Sequence, residues 1–182
     1  MDLELLKVII EEQREGIKKL MKTENIIERE LKVGNFIKYP NSLVILGVRR
    51  AGKSVLSLQT FYGEKFAYIN FDDERLIGLD TKDLNQILQV FYELYGPGVD
   101  HLIFDEIQNI QGWELFVTRL RDTNKVIVTG SNSKLLSGEL ATRLTGRHID
   151  VILFPFSFRE FLKYKKFEIK TTFTTKEKAQ LI

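Results

Sequence analysis

Short apolar segments recur through the middle of the chain and alternate with amphipathic stretches. Five apolar segments predict β-strands: 43–46, 66–71, 101–104, 125–129 and 149–154. They are almost continuously apolar, which is typical of strands in a parallel sheet that is covered on both faces. Apolar residues at helical spacing predict helices over 55–59, 84–94 and 113–120. This alternation predicts parallel βαβ units, and hence an α/β fold with a mainly parallel five-stranded sheet.

The first 33 residues follow a different pattern. Apolar residues recur there at helical spacing between charged ones: Ile10, Ile17, Leu20, Met21, Ile27 and Leu31. The spacing predicts a helical leader, with a break over 22–25 that would divide it into two helices. We expect the leader to pack on the core, although such a face can also await a partner.

These patterns divide the chain into an N-terminal helical leader (1–38), a core (39–163) and the start of a further region (164–182). The last region turns basic and ends in what reads as the start of another helix, so we expect the chain to stop early. Lysines and aromatic residues lie close together there: Lys163, Tyr164, Lys165, Lys166, Phe167 and Lys170. Such a combination can contact nucleic acid, but a solvated surface is the commoner case.

Composition narrows the class of protein. With 182 residues, of which 43% are hydrophobic and 29% charged, the chain can form one globular domain. A net charge of +2 gives no argument for nucleic acid, and the absence of cysteine excludes disulfides and thiol catalysis. No apolar stretch approaches the roughly 20 residues of a membrane span. The charged N-terminus is unlike a secretory signal, so we expect a cytoplasmic protein without a membrane partner.

Residues 47–54 (GVRRAGKS) match the pattern G-x-x-x-x-G-K-[ST] and stand between a predicted strand and a predicted helix. In this context backbone N–H groups and the positive end of the helix converge on a phosphate, whereas a chance match would lie in an ordinary surface turn. Lys53 is expected to reach the β- and γ-phosphates, and the Ser54 hydroxyl to bind Mg²⁺. The candidate nucleotide-binding residues of the loop are Gly47, Arg49, Arg50, Ala51, Gly52, Lys53, Ser54 and Val55. The two arginines could instead pair with a neighbouring acid.

The third predicted strand ends in Asp105 and Glu106. An apolar strand that delivers an acidic pair to its carboxyl end suits a site opposite Lys53. Asp105 would hold Mg²⁺, and Glu106 would orient and deprotonate the attacking water as a general base. The alternative is a helix N-cap with an acidic first turn.

Polar residues follow the fourth predicted strand. Ser131 or Asn132 could sense the γ-phosphate, or could cap the next helix, and the pattern leaves both open. Arg143 and Arg147 come next, and an arginine supplied by a second copy can stabilise charge on a transferring phosphoryl group. Arg147 is the preferred catalytic candidate, and an ordinary solvated arginine is the alternative.

Several other conspicuous residues are predicted to be structural. Asp72 and Asp73 are expected to end a strand and cap a helix rather than bind metal. Trp113 is expected in the core, and His101 and His148 are isolated from any set of metal ligands.

Taken together, the motifs resemble those of prokaryotic, largely archaeal, AAA-type ATPases. The matching segments within 42–163 are GVRRAGKS (47–54), FDEIQ (104–108), VTGSN (128–132), LTGR (144–147) and PFSFREF (155–161). The resemblance implies a P-loop NTPase three-layer sandwich, with the Thr129 strand between the phosphate-loop strand and the Asp105 strand. It also implies ATP and Mg²⁺, a sensor at Ser131 or Asn132, and an arginine finger at Arg147. Such proteins usually continue into a helical lid and a C-terminal domain, before which this chain would be truncated.

The sequence thus predicts a Mg²⁺-dependent ATPase core, coupled to a conformational or DNA-linked task. A trans arginine would imply a homo-oligomer, and DNA or another protein would be the further partner. One alternative is a nucleotide-gated binding module with little hydrolysis, and another is a small-molecule kinase, which Glu106 beside Asp105 argues against. A GTPase is disfavoured because the chain contains no Asn-Lys-x-Asp sequence.

Overall fold

The computed structural model describes residues 2–23, 26–131, 148–167 and 175–179. The strands in these ranges are β1 (Ser42–Gly47), β2 (Phe66–Asn70), β3 (His101–Asp105), β4 (Lys125–Ser131) and β5 (His148–Ile152). The α-helices are α1 (Leu3–Met21), α2 (Lys53–Thr60), α3 (Asp83–Tyr95), α4 (Trp113–Leu120), α5 (Phe158–Tyr164) and α6 (Thr175–Ala179). Short 3₁₀ turns cover Phe36–Lys38, Glu74–Leu76 and Ile107–Asn109.

The five strands form one sheet in the order β2-β3-β4-β1-β5, and every neighbouring pair is parallel. This confirms the predicted α/β fold and the predicted place of the Thr129 strand, β4, between β1 and β3. In a parallel sheet all carboxyl ends lie at one edge. The phosphate loop after β1 and the acidic pair after β3 therefore meet at the same edge.

Alternate residues of the strands face two separate apolar layers. On β1, Val44 and Leu46 pack with α1, α3 and α4, whereas Leu43 and Ile45 pack with α2 on the other face. All four side chains are at most 2% exposed. Helices thus cover both faces of the sheet, which is the predicted three-layer sandwich.

The helical leader is confirmed only in its first part. In α1, Leu6, Ile9 and Ile10 are buried against the core, so this helix packs on the domain as expected. The predicted second helix is wrong, because residues 26–33, which we call the strap, are not helical.

Polar groups of the strap form hydrogen bonds with the core rather than with one another. Gln59 Nε2 donates to the Ile27 carbonyl at 3.1 Å, and the Glu30 N–H donates to Glu160 Oε1 at 2.7 Å. The Arg29 side chain is buried and bonded to the core. These contacts replace the hydrogen bonds of a helix, so tertiary structure overrides the local pattern.

Most residues to which the sequence assigned structural roles have them. Trp113 is 3% exposed and lies in the core. The Asp73 carboxylate accepts from the Arg75 N–H at 3.1 Å and so caps a 3₁₀ turn. His101 packs edge-on against Phe61. Within the described residues, no group of three or more acidic, histidine or cysteine side chains is arranged to hold a metal. No described helix is both long enough and apolar enough to cross a bilayer.

Candidate nucleotide-binding site

The phosphate loop connects the end of β1 at Gly47 to the start of α2 at Lys53. Its backbone is left-handed at Arg50, with φ 65°, and at Gly52, with φ 93°. Gly47 is needed for a different reason, because a Cβ there would lie 2.4 Å from the Leu153 carbonyl oxygen. Arg49 and Arg50 are exposed, whereas Ala51 is buried.

Gly52 is the N-cap of α2 and provides no side chain to satisfy the first N–H groups of that helix. Such groups, together with the positive end of the helix dipole, favour an anion. Ser54 lies in the first turn of α2, so its hydroxyl stands beside the same end, and Val55 follows it. The start of α2 thus has the backbone arrangement that favours an anion such as phosphate.

The Lys53 side chain points along the loop toward the end of β3. Its ammonium group lies 3.3 Å from Glu106 Oε1 and donates to the Val48 carbonyl at 3.4 Å. Lys53 is only 4% exposed, so its side chain is largely shielded from solvent. The structure therefore brings together the lysine of the loop and the second residue of the acidic pair.

Two hydroxyl groups from neighbouring strands hold the Asp105 carboxylate. Tyr68 on β2 donates to Oδ2 at 2.8 Å, and Thr129 on β4 donates to Oδ1. Burial, and then the adjacent Asp105 charge, raise the pKa of Tyr68, so its hydroxyl remains a donor. Asp105 is 2% exposed.

Glu106 has a left-handed backbone, with φ 52° and ψ 42°, and its side chain makes no cap hydrogen bond. Glu106 thus stands at the N-cap position of the 3₁₀ turn Ile107–Asn109, but its carboxylate does not cap that turn. Its N–H donates to Thr129 Oγ1 at 3.1 Å, and Gln108 Nε2 donates to Glu106 Oε2 at 2.6 Å. Thr129 thus contacts both members of the acidic pair.

The remaining predicted site residues divide into two groups. Ser131 is the last residue of β4 and stands opposite Gly47 in the β1–β4 register, so it lies beside the start of the phosphate loop. Asn132, Arg143 and Arg147 lie outside the described residues. Their roles as sensor and arginine finger stay predictions.

Sequence reasoning missed four side chains that support the site: Tyr68, Gln108, Thr129 and Arg29. Tyr68 and Thr129 each stand in an apolar strand. A single hydroxyl in such a strand is a weak signal that it forms a hydrogen bond with a buried polar group nearby. Gln108 lies two positions after Glu106, so its proximity in sequence is a signal for this contact. Arg29 gave no signal, because it resembles the other charges of the leader.

A small cavity of about 180 Å³ opens beside the loop. It is lined mostly by apolar side chains of α1, the strap and α2, and also by Arg29: Leu20, Thr23, Ile26, Ile27, Arg29, Gly52, Val55 and Phe156. An apolar cavity next to a phosphate site has the character needed for the flat ring of a nucleotide base.

The donor set also fits a magnesium ion. Mg²⁺ prefers hard oxygen ligands and usually keeps several waters, so it needs only one or two protein oxygens. The Ser54 hydroxyl and the Asp105 carboxylate are the oxygens that the site offers for this purpose.

The parallel sheet, the phosphate loop and the acidic pair define a P-loop nucleotide-binding domain. A family model described as AAA domain matches residues 39–162, and the chain belongs to this family. The predicted relation to AAA-type P-loop ATPases is thereby confirmed.

Two curated relatives, both described as uncharacterized proteins, extend well beyond the matched region. One from Methanocaldococcus jannaschii is 39% identical over 181 residues, covering 97% of this chain and 40% of that protein. One from Haemophilus influenzae is 36% identical over 172 residues, covering 87% of this chain and 42% of that protein. The chain thus spans about two fifths of the length of these relatives.

Among solved structures, the chain is similar to a Walker-type ATPase of Pyrococcus abyssi. The TM-score is 0.50 at 17% identity, and the match covers 81% of this chain and 61% of that one. At this identity the similarity establishes the fold.

Proposed function

We propose that the domain binds ATP with Mg²⁺ and hydrolyses it. The observation that carries the proposal is the contact of 3.3 Å between Lys53 Nζ and Glu106 Oε1 at the N-terminal end of α2. Three features that a phosphate-transfer site needs are therefore close together: a lysine, an adjacent carboxylate and the N-terminus of a helix. The apolar cavity beside Gly52 supports a nucleotide, rather than inorganic phosphate, as the ligand.

Each residue has a separate role in this proposal. The loop N–H groups and Lys53 bind the phosphates, while Ser54 and Asp105 provide oxygens to the metal. Bound Mg²⁺ would neutralise charge on the phosphoryl group that is transferred. Glu106 accepts a proton from the attacking water, and Ser131 or Asn132 is the proposed sensor of the γ-phosphate. Lys53 releases Glu106 when it turns to phosphate, which makes that carboxylate available as a base.

Replacing the base tests the proposal directly. We expect Glu106→Gln to lower ATP turnover at least about 100-fold, the usual contribution of a general base. ATP affinity should be kept or increased, because Lys53 loses its competing anion. Phosphate release and calorimetric binding of Mg·ATP are the two measurements. Glu64→Gln, an exposed carboxylate after the far end of α2, is the control. Unchanged turnover in Glu106→Gln would remove Glu106 from this role.

A second candidate is a nucleotide-gated binding module with little hydrolysis. It is favoured by the contacts of the Glu106 carboxylate with Lys53 and Gln108. Because both oxygens of Glu106 are already engaged, neither is free to accept a proton from water. Tight ATP binding without turnover at any protein concentration would support it. Turnover that rises steeply with concentration would instead support a homo-oligomer with a trans arginine, for which Arg147 is the candidate. The coupled task, whether conformational or on a DNA or protein partner, belongs to the same proposal.

A further inference from the structure

Arg29 in the strap is buried behind the phosphate loop and uses three nitrogens on three different acceptors. Nη1 donates to the Ala51 carbonyl at 2.7 Å, Nη2 to the Phe154 carbonyl at 2.7 Å, and Nε to Glu160 Oε1 at 2.9 Å. The side chain is 6% exposed, and its guanidinium lies over the Phe156 ring. The planar fork of arginine suits such a bridge, whereas lysine offers one nitrogen.

Glu160 anchors this arginine. Burial disfavours its charge, but hydrogen bonds from Arg29 and from the N–H groups of Glu30 and Ser157 outweigh burial, so the pKa of Glu160 lies below its ordinary value. Its side chain also completes a capping box at the start of α5. The guanidinium is therefore fixed from the side opposite the loop.

The contact with Ala51 determines how one peptide group of the loop is oriented. A trans peptide is planar, so the Ala51 carbonyl and the Gly52 N–H point in opposite directions. Because the carbonyl is held toward Arg29, the Gly52 N–H is turned away from Arg29. Gly52 also leaves room for the bridge, since a Cβ there would lie 3.3 Å from Arg29 Nη1.

We propose that Arg29 is a positioning residue for nucleotide binding, which directs the Gly52 N–H of the phosphate loop toward the phosphates. The inference rests on the proposed binding of ATP. According to this inference, two segments together shape the loop: the strap, which precedes β1, and the segment around Glu160, which follows β5. Arg29 acts through the Ala51 carbonyl rather than by contact with the reacting atoms.

Arg29→Lys tests the proposal, because it keeps a positive charge opposite Glu160 but cannot bridge all three acceptors. We expect the Kd for Mg·ATP to rise about tenfold or more, the size of a lost charge-assisted hydrogen bond. The change in the Gly52 amide resonance on adding Mg·ATP, followed by ¹⁵N NMR, should shrink as well. Both are measured well below the thermal midpoint, where circular dichroism shows a folded variant.

The matched control is Arg75→Lys, which alters an arginine paired with Asp73 and Glu12, away from the loop. It should bind Mg·ATP as the unmodified chain does. Unchanged affinity in folded Arg29→Lys would overturn the proposal. Weakened affinity with an unchanged Gly52 response would also overturn it, because Arg29 would then act on the base cavity.

A second variant covers the case in which Arg29→Lys does not fold. Glu160→Ala removes the acceptor that anchors Arg29 Nε while keeping the arginine, and unchanged affinity in that variant would again overturn the proposal. If the unmodified chain and Arg75→Lys both fail to bind Mg·ATP, the proposed function itself is wrong and the inference with it. Failure of the function is thus distinguished from failure of Arg29 alone.

Discussion

At the scale of single residues, the site depends on two hydroxyl groups that hold a buried carboxylate in place. Tyr68 and Thr129 each donate to one oxygen of Asp105. A buried carboxylate that loses a donor bears the full cost of its desolvation. The two hydroxyls therefore matter for stability as well as for the orientation of the proposed metal ligand.

Tyr68→Phe should lower the free energy of unfolding by about 1.5–3 kcal/mol, because Asp105 then loses a charge-assisted hydrogen bond. Urea denaturation measures the loss. In an Asp105→Asn background the same substitution should cost less, since no charge remains to be solvated. Equal losses in the two backgrounds would show that the hydroxyl does not act on the Asp105 charge.

Residue types were easier to predict at the site than backbone conformations. The sequence indicates Lys53, Ser54, Asp105 and Glu106 because their chemistry stands in short motifs. It does not indicate that Glu106 has φ 52°, a conformation that costs a non-glycine residue roughly 1 kcal/mol or more. That strain depends on the contacts of Glu106 with Thr129 and Lys53, which come from other elements.

At the scale of elements, Gly47 decides how closely the chain after β5 can approach β1. The Leu153 N–H donates to the Leu46 carbonyl at 2.7 Å, and the Leu153 carbonyl comes close to Gly47. The neighbour is backbone, so it cannot move aside as a flexible side chain could. The glycine is therefore required by packing at the edge of the sheet.

We expect Gly47→Ala to destabilise the domain by about 1–3 kcal/mol or more, through overpacking against this backbone. The control substitution should change the free energy of unfolding in the opposite direction. Gly16 lies within α1, and no described atom outside the backbone of that helix comes within 4 Å of an added methyl group, so Gly16→Ala should stabilise by about 0.5–1 kcal/mol. Thermal and urea unfolding of both variants measure the difference. Equal effects of the two substitutions would contradict the packing argument.

The strands were predictable as elements, whereas the strap was not. A buried parallel strand is apolar wherever it stands in the sheet, so its pattern is local. The strap carries Ile27 and Leu31 at helical spacing, yet its Ile27 carbonyl and Glu30 N–H bond to side chains of the core. Those partners are distant in sequence, so no local pattern could identify them.

At the scale of the whole molecule, polar contacts join segments that are far apart in the chain. Gln13 of α1 donates to Asp73 Oδ2 at 3.1 Å and to the Asn70 carbonyl at 3.2 Å, across 60 and 57 positions. Asp73 also accepts from Arg75, which pairs with Glu12 of α1. The leader helix is thereby attached to the end of β2 by groups that include a titrating carboxylate.

This attachment predicts a dependence of stability on pH. Hydrogen bonds from Arg75, opposed by partial burial and assisted by Gln13, lower the pKa of Asp73 from 3.8 to about 2. Since the pKa is depressed in the folded state, the stabilisation is complete above about pH 4 and is lost as pH falls toward about 2. We expect a contribution of about 1 kcal/mol, because Arg75 is partly exposed to solvent.

Urea unfolding over this pH range checks the prediction. Asp73→Asn should reduce the fall in unfolding free energy between about pH 4 and about pH 2 relative to the unmodified chain. Asp72→Asn, at the exposed neighbouring position, is the matched control substitution. Identical curves for all three proteins would show that Asp73 does not link α1 to the sheet in this way.

The strands, the phosphate loop and the acidic pair could be predicted from the sequence, because each is encoded in a few consecutive residues. The side chains that support them could not be predicted, because they come from distant parts of the chain. Tyr68 and Asp105 are 37 positions apart, Thr129 and Asp105 are 24 apart, and Arg29 and Glu160 are 131 apart. These pairs meet because of the strand order β2-β3-β4-β1-β5 and the path of the strap. Strand order and chain path result from packing over the whole domain, which a local pattern does not contain.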